Sequence, residues 1–274
     1  MDISEIFSYG FMLRALLAGS LIAVLCSVLG CFLVLRRLSL IGDGLAHVTF
    51  GSVALALFFR LYGATALLVS LPVVMLSSLG IMRLTERARL SGDAAIGIVS
   101  SLGIAAGVVL ASLGGGFNVD LFSYLFGNIL SISREEVLLA VALCAGVLGL
   151  VTFFYHDLMA FTFNEELARV SGVRTGAISS LLVLLTSLTV VLAMKLVGIM
   201  LISAMLILPA SAALQLARGF RTALVLASAL GVMSVVGGTV GSVLLNLPTG
   251  ATIVICNFTV FALTFAGKRL LARS

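Results

Sequence analysis

Asp43 and His47 stand four residues apart in the run Ser39-Leu40-Ile41-Gly42-Asp43-Gly44-Leu45-Ala46-His47-Val48-Thr49-Phe50-Gly51. On a continuous helix that spacing projects both side chains from one face, about one turn apart. A carboxylate and a neutral imidazole are good ligands for zinc and manganese. Gly51 follows on the same face, where the missing side chain leaves room for a solute or for another helix. The plainer alternative is that Asp43 caps the helix start and orients His47 with no metal involved, because a carboxylate near a helix N-terminus satisfies free amides. Two ligands do not close a metal site. Waters, a second helix or a symmetry mate must complete the shell.

Two further stretches carry unusual residues. In the run from Lys195 to Ala213, Pro209 removes a backbone donor and is expected to bend or break its helix, with Ser203 and Ser211 offering local hydrogen bonds. The methionines there have ordinary helical spacing and read as packing residues. The region from Tyr155 to Val173 reads as a short amphipathic helix that starts near Thr162 to Asn164 and stops near Gly172, with Thr162 and Glu165 at capping-box spacing. It is either a surface loop helix or a docking element for a soluble partner. His156 and Asp157 read as solvated residues at its edge.

The elements that must position these groups belong to a membrane. The chain has 274 residues, 61% hydrophobic and 10% charged, which is too apolar to cover a soluble surface. Apolar segments run Phe11 to Leu35, Gly44 to Phe59, Ala64 to Met82, Ala94 to Leu113, Val137 to Phe154, Ala177 to Met194, Leu196 to Ala217, Ala223 to Leu245 and Ala251 to Ala266. About 20 residues cross a hydrocarbon core, so the expected fold is an all-α polytopic membrane protein of about eight or nine transmembrane or partly re-entrant helices. The second, fifth, sixth and ninth segments are the short ones. No soluble appendage interrupts them, and residues 1–274 read as a single membrane-spanning domain.

Basic residues cluster at alternate segment ends: Arg36-Arg37, Arg83 to Arg89, the segment Tyr155 to Arg174, Arg218 and Arg221, and Lys268 to Arg273. Placing these clusters inside gives an external N-terminus and a cytoplasmic C-terminus, with Arg14, Arg60, Arg134 and Lys195 as exceptions. That distribution also accounts for the net charge of +5 without a nucleic-acid partner. The first segment follows Asp2 and Glu5 and lacks a basic leader, so it reads as a retained span. The stretch 117–127 reads as a loop or as an interfacial or re-entrant helix. Cys26, Cys31, Cys144 and Cys256 all lie in apolar runs and read as small core residues. Gly237, Gly238 and Gly241 suit tight helix packing. No phosphate-loop motif is present, so ATP hydrolysis is not expected of this chain.

The Ser39 to Gly51 run, the Phe161 to Gly172 loop, the Leu196 to Ala213 segment and the turn Leu247-Pro248-Thr249-Gly250-Ala251-Thr252 together resemble the zinc and manganese permeases of ATP-binding-cassette importers, the ABC-3 metal permeases. The resemblance implies a pore made of two permease copies, two separate ATPase subunits against their cytoplasmic faces, and an extracytoplasmic binding protein that delivers the metal. It implies a prokaryotic plasma (inner) membrane location. Asp43 and His47 match the family's metal-path pair, and Gly51 and Pro209 would support the pore or its gating. Asn164, Glu165, Glu166, Arg169 and Gly172 fall in the ATPase-coupling region, near 155–174. Transported Zn2+ or Mn2+ would be cargo, with no cofactor permanently bound, and the Gly42-Asp43-Gly44-Leu45-Ala46-His47 form resembles zinc-associated members. The competing readings are an ion-gradient-driven transporter or channel for a divalent cation, and a membrane scaffold in which the Asp43–His47 pair is structural.

Overall fold

The structure, a computed structural model, describes residues 10–61, 64–88, 90–114 and 132–271. Within these residues every regular element is a helix: α1 Gly10–Leu35, α2 Ile41–Phe58, α3 Ala64–Arg87, α4 Gly92–Leu113, α5 Arg134–Phe153, α6 Tyr155–Phe163, α7 Glu165–Val170, α8 Thr175–Val197, α9 Ile199–Leu216, α10 Phe220–Leu245 and α11 Thr249–Leu271. Each apolar segment of the sequence is one of these helices, with its ends moved by a few residues. The movement is mostly outward, because helices continue into polar flanks that hydropathy discounts. Thus α5 starts at Arg134, where Ser133 and Glu136 form a reciprocal capping box, and runs 20 residues. Likewise α8 and α11 each run 23 residues, longer than their apolar stretches. Among the described residues, eight helices are long and apolar enough to cross a bilayer, and α9 is a shorter apolar helix. The 117–127 stretch lies outside the described residues.

Burial separates a central set of helices from a peripheral one. The apolar windows of α1, α8 and α2 are 72%, 67% and 61% buried, against 17% for both α4 and α11. In lipid an exposed leucine costs nothing, so the peripheral helices keep rows such as Leu102, Leu138, Phe258 and Leu263 facing outward. Helix α1 is enclosed by α5, α8, α9 and α10, while α2 lies along α4 and against α3. Several hydroxyls buried in this core are satisfied within their own helix. Thr49, Thr186 and Thr189 donate to Leu45 O, Leu182 O and Leu185 O respectively, one turn back.

The α2–α4 seam depends on missing side chains. A Cβ on Gly51 would run into Gly103 O, and one on Gly103 would lie 2.8 Å from Val48 Cα. Of the three glycines near the end of α10, Gly238 makes the closest approach, its Cβ position being 2.5 Å from Ile253 Cα on α11. The four cysteines are free thiols, and Cys26, Cys31 and Cys144 are buried.

One end of the bundle gathers the end of α1, the helices α6 and α7, and the start of α10. Phe32 and Phe163 both pack edge-on to Phe220, with ring centroids 5.0 and 5.5 Å apart, and Tyr155 stacks on the same ring. Arg36 and Arg221 lie at this end, as the alternation of basic clusters requires.

Candidate functional site

Helix α2 begins directly after a short link from α1. Its N-cap residue is Leu40, with no side-chain cap. Asp43 is therefore not occupied in capping. Its Oδ1 accepts a hydrogen bond from Ser203 Oγ of α9 at 3.4 Å, and its Oδ2 lies 3.5 Å from His47 Nε2. Two donors bound about 2.1 Å from one tetrahedral ion stand about 3.4 Å apart, so this spacing suits chelation. Both side chains remain open to a third species, His47 being 31% exposed and Asp43 50%. The chemistry available is that of one hard oxygen donor and one borderline nitrogen donor on a single turn, with a hydroxyl from a second helix beside them.

The described residues do not complete the shell with further acidic, histidine or cysteine side chains. Among the described residues no three such groups converge. Gly51 lies one turn beyond His47, and its open side is filled by the Gly103 backbone of α4. It also borders an apolar cavity of about 250 Å3 with Ser52, Leu55 and Leu110. Pro209 lies within α9, which continues through it from Ile199 to Leu216 without a break. The discontinuity falls earlier, at Gly198 (φ +84°), where α8 hands over to α9. Ser203 follows that junction, and it is the residue that sequence reasoning credited only with local hydrogen bonds.

The region from Tyr155 to Val173 is two helices. Leu158 and Phe161 bury one face of α6. Asn164 then separates α6 from α7 and caps the latter, its Oδ1 accepting from Leu167 N at 3.1 Å. Thr162 does not cap. It is buried in the last turn of α6 and donates to Leu158 O at 2.6 Å. Gly172, at φ +90°, closes α7. The Gly172 amide donates to Arg169 O and the Val173 amide to Ala168 O, the paired bonds of a left-handed helix stop. Glu165 is gripped from two sides, by Arg36 Nη2 at 2.7 Å and Arg169 Nη2 at 3.2 Å. Glu166 points outward. Phe163, Leu167 and Val170 present an exposed apolar row. His156 and Asp157 do not converge, since His156 borders a cavity with Arg221 and Asp157 another with Arg174.

Among the described residues, eight long apolar helices around a buried core, with a carboxylate–imidazole pair on one turn of α2 beside Ser203 of α9, define a polytopic membrane protein of the permease class. The sequence profile of the ABC 3 transport family matches residues 8–268, and the chain belongs to that family. It is 35% identical over 261 residues to the manganese transport system membrane protein MntC of Halalkalibacterium halodurans, covering 95% of this chain and 88% of that one. It is 31% identical to the high-affinity zinc uptake system membrane protein ZnuB of Haemophilus influenzae, covering 93% and 97% respectively. A chain in the solved structure of PsaBC from Streptococcus pneumoniae in complex with Fab superposes with a TM-score of 0.84 at 30% identity, covering 96% of this chain and 94% of that one. The chain is accordingly a transport subunit and not an enzyme.

Proposed function

We propose that this chain is the permease subunit of an ATP-binding-cassette importer for a divalent transition cation, with zinc favoured over manganese. The observation that carries the reading is the Asp43–His47 pair, 3.5 Å apart on α2 of an ABC 3 family member. The imidazole leans the choice toward zinc, while the relatives' names divide between manganese and zinc. Residues 1–274 act as a single membrane domain in a prokaryotic plasma (inner) membrane, with the N-terminus outside and the C-terminus in the cytoplasm.

Two copies form the pore, and an extracytoplasmic metal-binding protein loads it. Two separate ATPase subunits dock on α6 and α7 through the Phe163, Leu167 and Val170 row, with Asn164, Glu165, Glu166, Arg169 and Gly172 shaping that element. ATP binding and hydrolysis in the partners shift these helices and open the path alternately to the two sides. Gly51 supports the pore by letting α4 approach α2, and Pro209 by leaving α9 one backbone donor short. The test is uptake of radioactive zinc and manganese into liposomes holding the permease, its ATPase and its binding protein. ATP-dependent zinc uptake that outcompetes manganese supports the reading. Uptake driven by an ion gradient without the ATPase overturns it in favour of a secondary transporter.

A further inference from the structure

The chain passes from α1 to α2 through only five residues, 36–40. The link is taut. Leu38 N–H donates to Leu33 O at 2.9 Å, Ile41 N–H donates to Leu38 O at 3.0 Å, and Arg37, inside the first of these turns, sits at φ +59°. A displacement of Arg36 therefore has little slack in which to dissipate before the first turn of α2, where Asp43 stands.

Arg36 is held by α6 and α7 in three independent ways. Its Nη2 donates to Glu165 Oε2 at 2.7 Å, its Nη1 donates to Phe161 O at 3.3 Å, and its guanidinium carbon lies 4.0 Å from the centroid of the Phe161 ring. Phe161 is itself buried, so the ring that Arg36 covers is anchored in the bundle. Glu165 opens α7 and faces Arg36, while Leu167 and Val170 of the same short helix face away, exposed. One side of α6–α7 is thus free for a partner and the other is fastened to the start of the link.

The fastening is poorly suited to stability alone. Glu165 is more than a third exposed, where an ion pair contributes little, and Arg36 Nε is buried with no hydrogen-bond partner. A planar guanidinium fork instead fixes orientation between the groups it joins.

We propose that Arg36 is a positioning residue that ties α6–α7 to the metal-bearing turn of α2, so that movement of the two short helices reaches Asp43 through the Arg36–Glu165 pair. This rests on the importer reading above. The test uses the permease assembled with its ATPase and binding protein in liposomes, comparing Arg36→Met, Glu165→Gln and the double variant. Methionine keeps much of the apolar stem over Phe161 and removes the fork. Each single variant is expected to lower ATP-driven zinc uptake about tenfold, with the double no lower than either single. Zinc bound per permease at equilibrium, co-purification of the ATPase and ATP hydrolysis are expected to stay within about twofold of wild type, so that more ATP is consumed per ion. Arg221→Met, which removes a cation lying over Tyr155 at the same end of the bundle, is expected to leave uptake unchanged.

Uptake close to wild type in Arg36→Met overturns the proposal. So do additive losses in the double variant, or a parallel fall in zinc binding and thermal midpoint, which would make the pair a simple staple. If Arg36→Met does not accumulate as a folded protein, Glu165→Gln and Arg36→Lys, measured in the same way, decide the question. Absence of ATP-driven uptake in the wild-type assembly overturns the importer reading itself, a result separable from normal wild-type uptake with unaffected variants.

Discussion

A carboxylate and an imidazole on one turn can chelate only if neither is committed elsewhere. Asp43 is uncommitted because the N-cap role falls to Leu40 without any side-chain bond, leaving the carboxylate to Ser203 and His47. On the proposed importer reading, Asp43→Ala and His47→Ala are each expected to cut zinc uptake at least about 100-fold, since each would remove a direct ligand whereas even outer partners of a site are worth about 10–100-fold. Gel filtration and thermal midpoint should remain near wild type, and normal uptake in both folded variants would sink the site. Ser203→Ala removes the outer partner and is expected to weaken zinc binding about tenfold, measured by competition with a chromophoric chelator, while Ser203→Thr keeps the hydroxyl and most of the affinity. A loss equal to that of Asp43→Ala would instead make Ser203 a direct ligand. The Asp43–His47 pair was legible in the sequence because i,i+4 spacing is a local geometric fact. Ser203 was not, because its approach to Asp43 across 160 positions is set by how α9 packs on α2.

Among the elements, the helices were legible because each apolar run is long and nearly uninterrupted, and their ends were less so because helices extend into charged flanks. Thr162 and Asn164 could each have capped α7, and spacing cannot choose between them. Burial does, by turning Thr162 back onto its own helix. The role of Gly51 likewise needed the neighbouring helix. Its open side is occupied by backbone, so Gly51→Val or Gly103→Val forces α2 and α4 apart. Such overpacking typically costs about 1–3 kcal/mol, and here the obstacle is backbone that cannot rotate away, so the upper end is expected. Thermal unfolding in detergent reads the effect, and an unchanged midpoint would mean that the seam has room. Gly172→Ala tests the stop of α7. Alanine at φ +90° is expected to cost about 1 kcal/mol locally. Hydrogen exchange at the Gly172-to-Arg169 and Val173-to-Ala168 bonds should rise about fivefold while α1 and α8 stay protected.

For the whole molecule, the ligand count is the quantity that matters. Zinc sites are almost always four-coordinate, yet among the described residues no three histidine, cysteine or acidic side chains converge. One chain offers Asp43 and His47, and two chains related by a two-fold axis offer two such pairs, the number a tetrahedral ion takes. Sequence alone pointed to this deficit by counting ligands, but whether a distant acidic or histidine side chain folds in to repair it was a tertiary question. His156 and Asp157, adjacent in sequence, open onto different cavities. A shared site and two separate half-sites make opposite predictions for a tandem fusion of two permeases in which only one half carries His47→Ala. If the site is shared, the wild-type fusion binds one zinc, and the single substitution weakens that one site at least about tenfold. If each chain binds alone, the wild-type fusion takes up two ions and the substituted fusion keeps one at unaltered affinity. Equilibrium dialysis with radioactive zinc separates the two cases, because the first changes affinity at fixed stoichiometry and the second changes stoichiometry at fixed affinity. One ion per fusion, bound more weakly after a single His47→Ala, is the expected result.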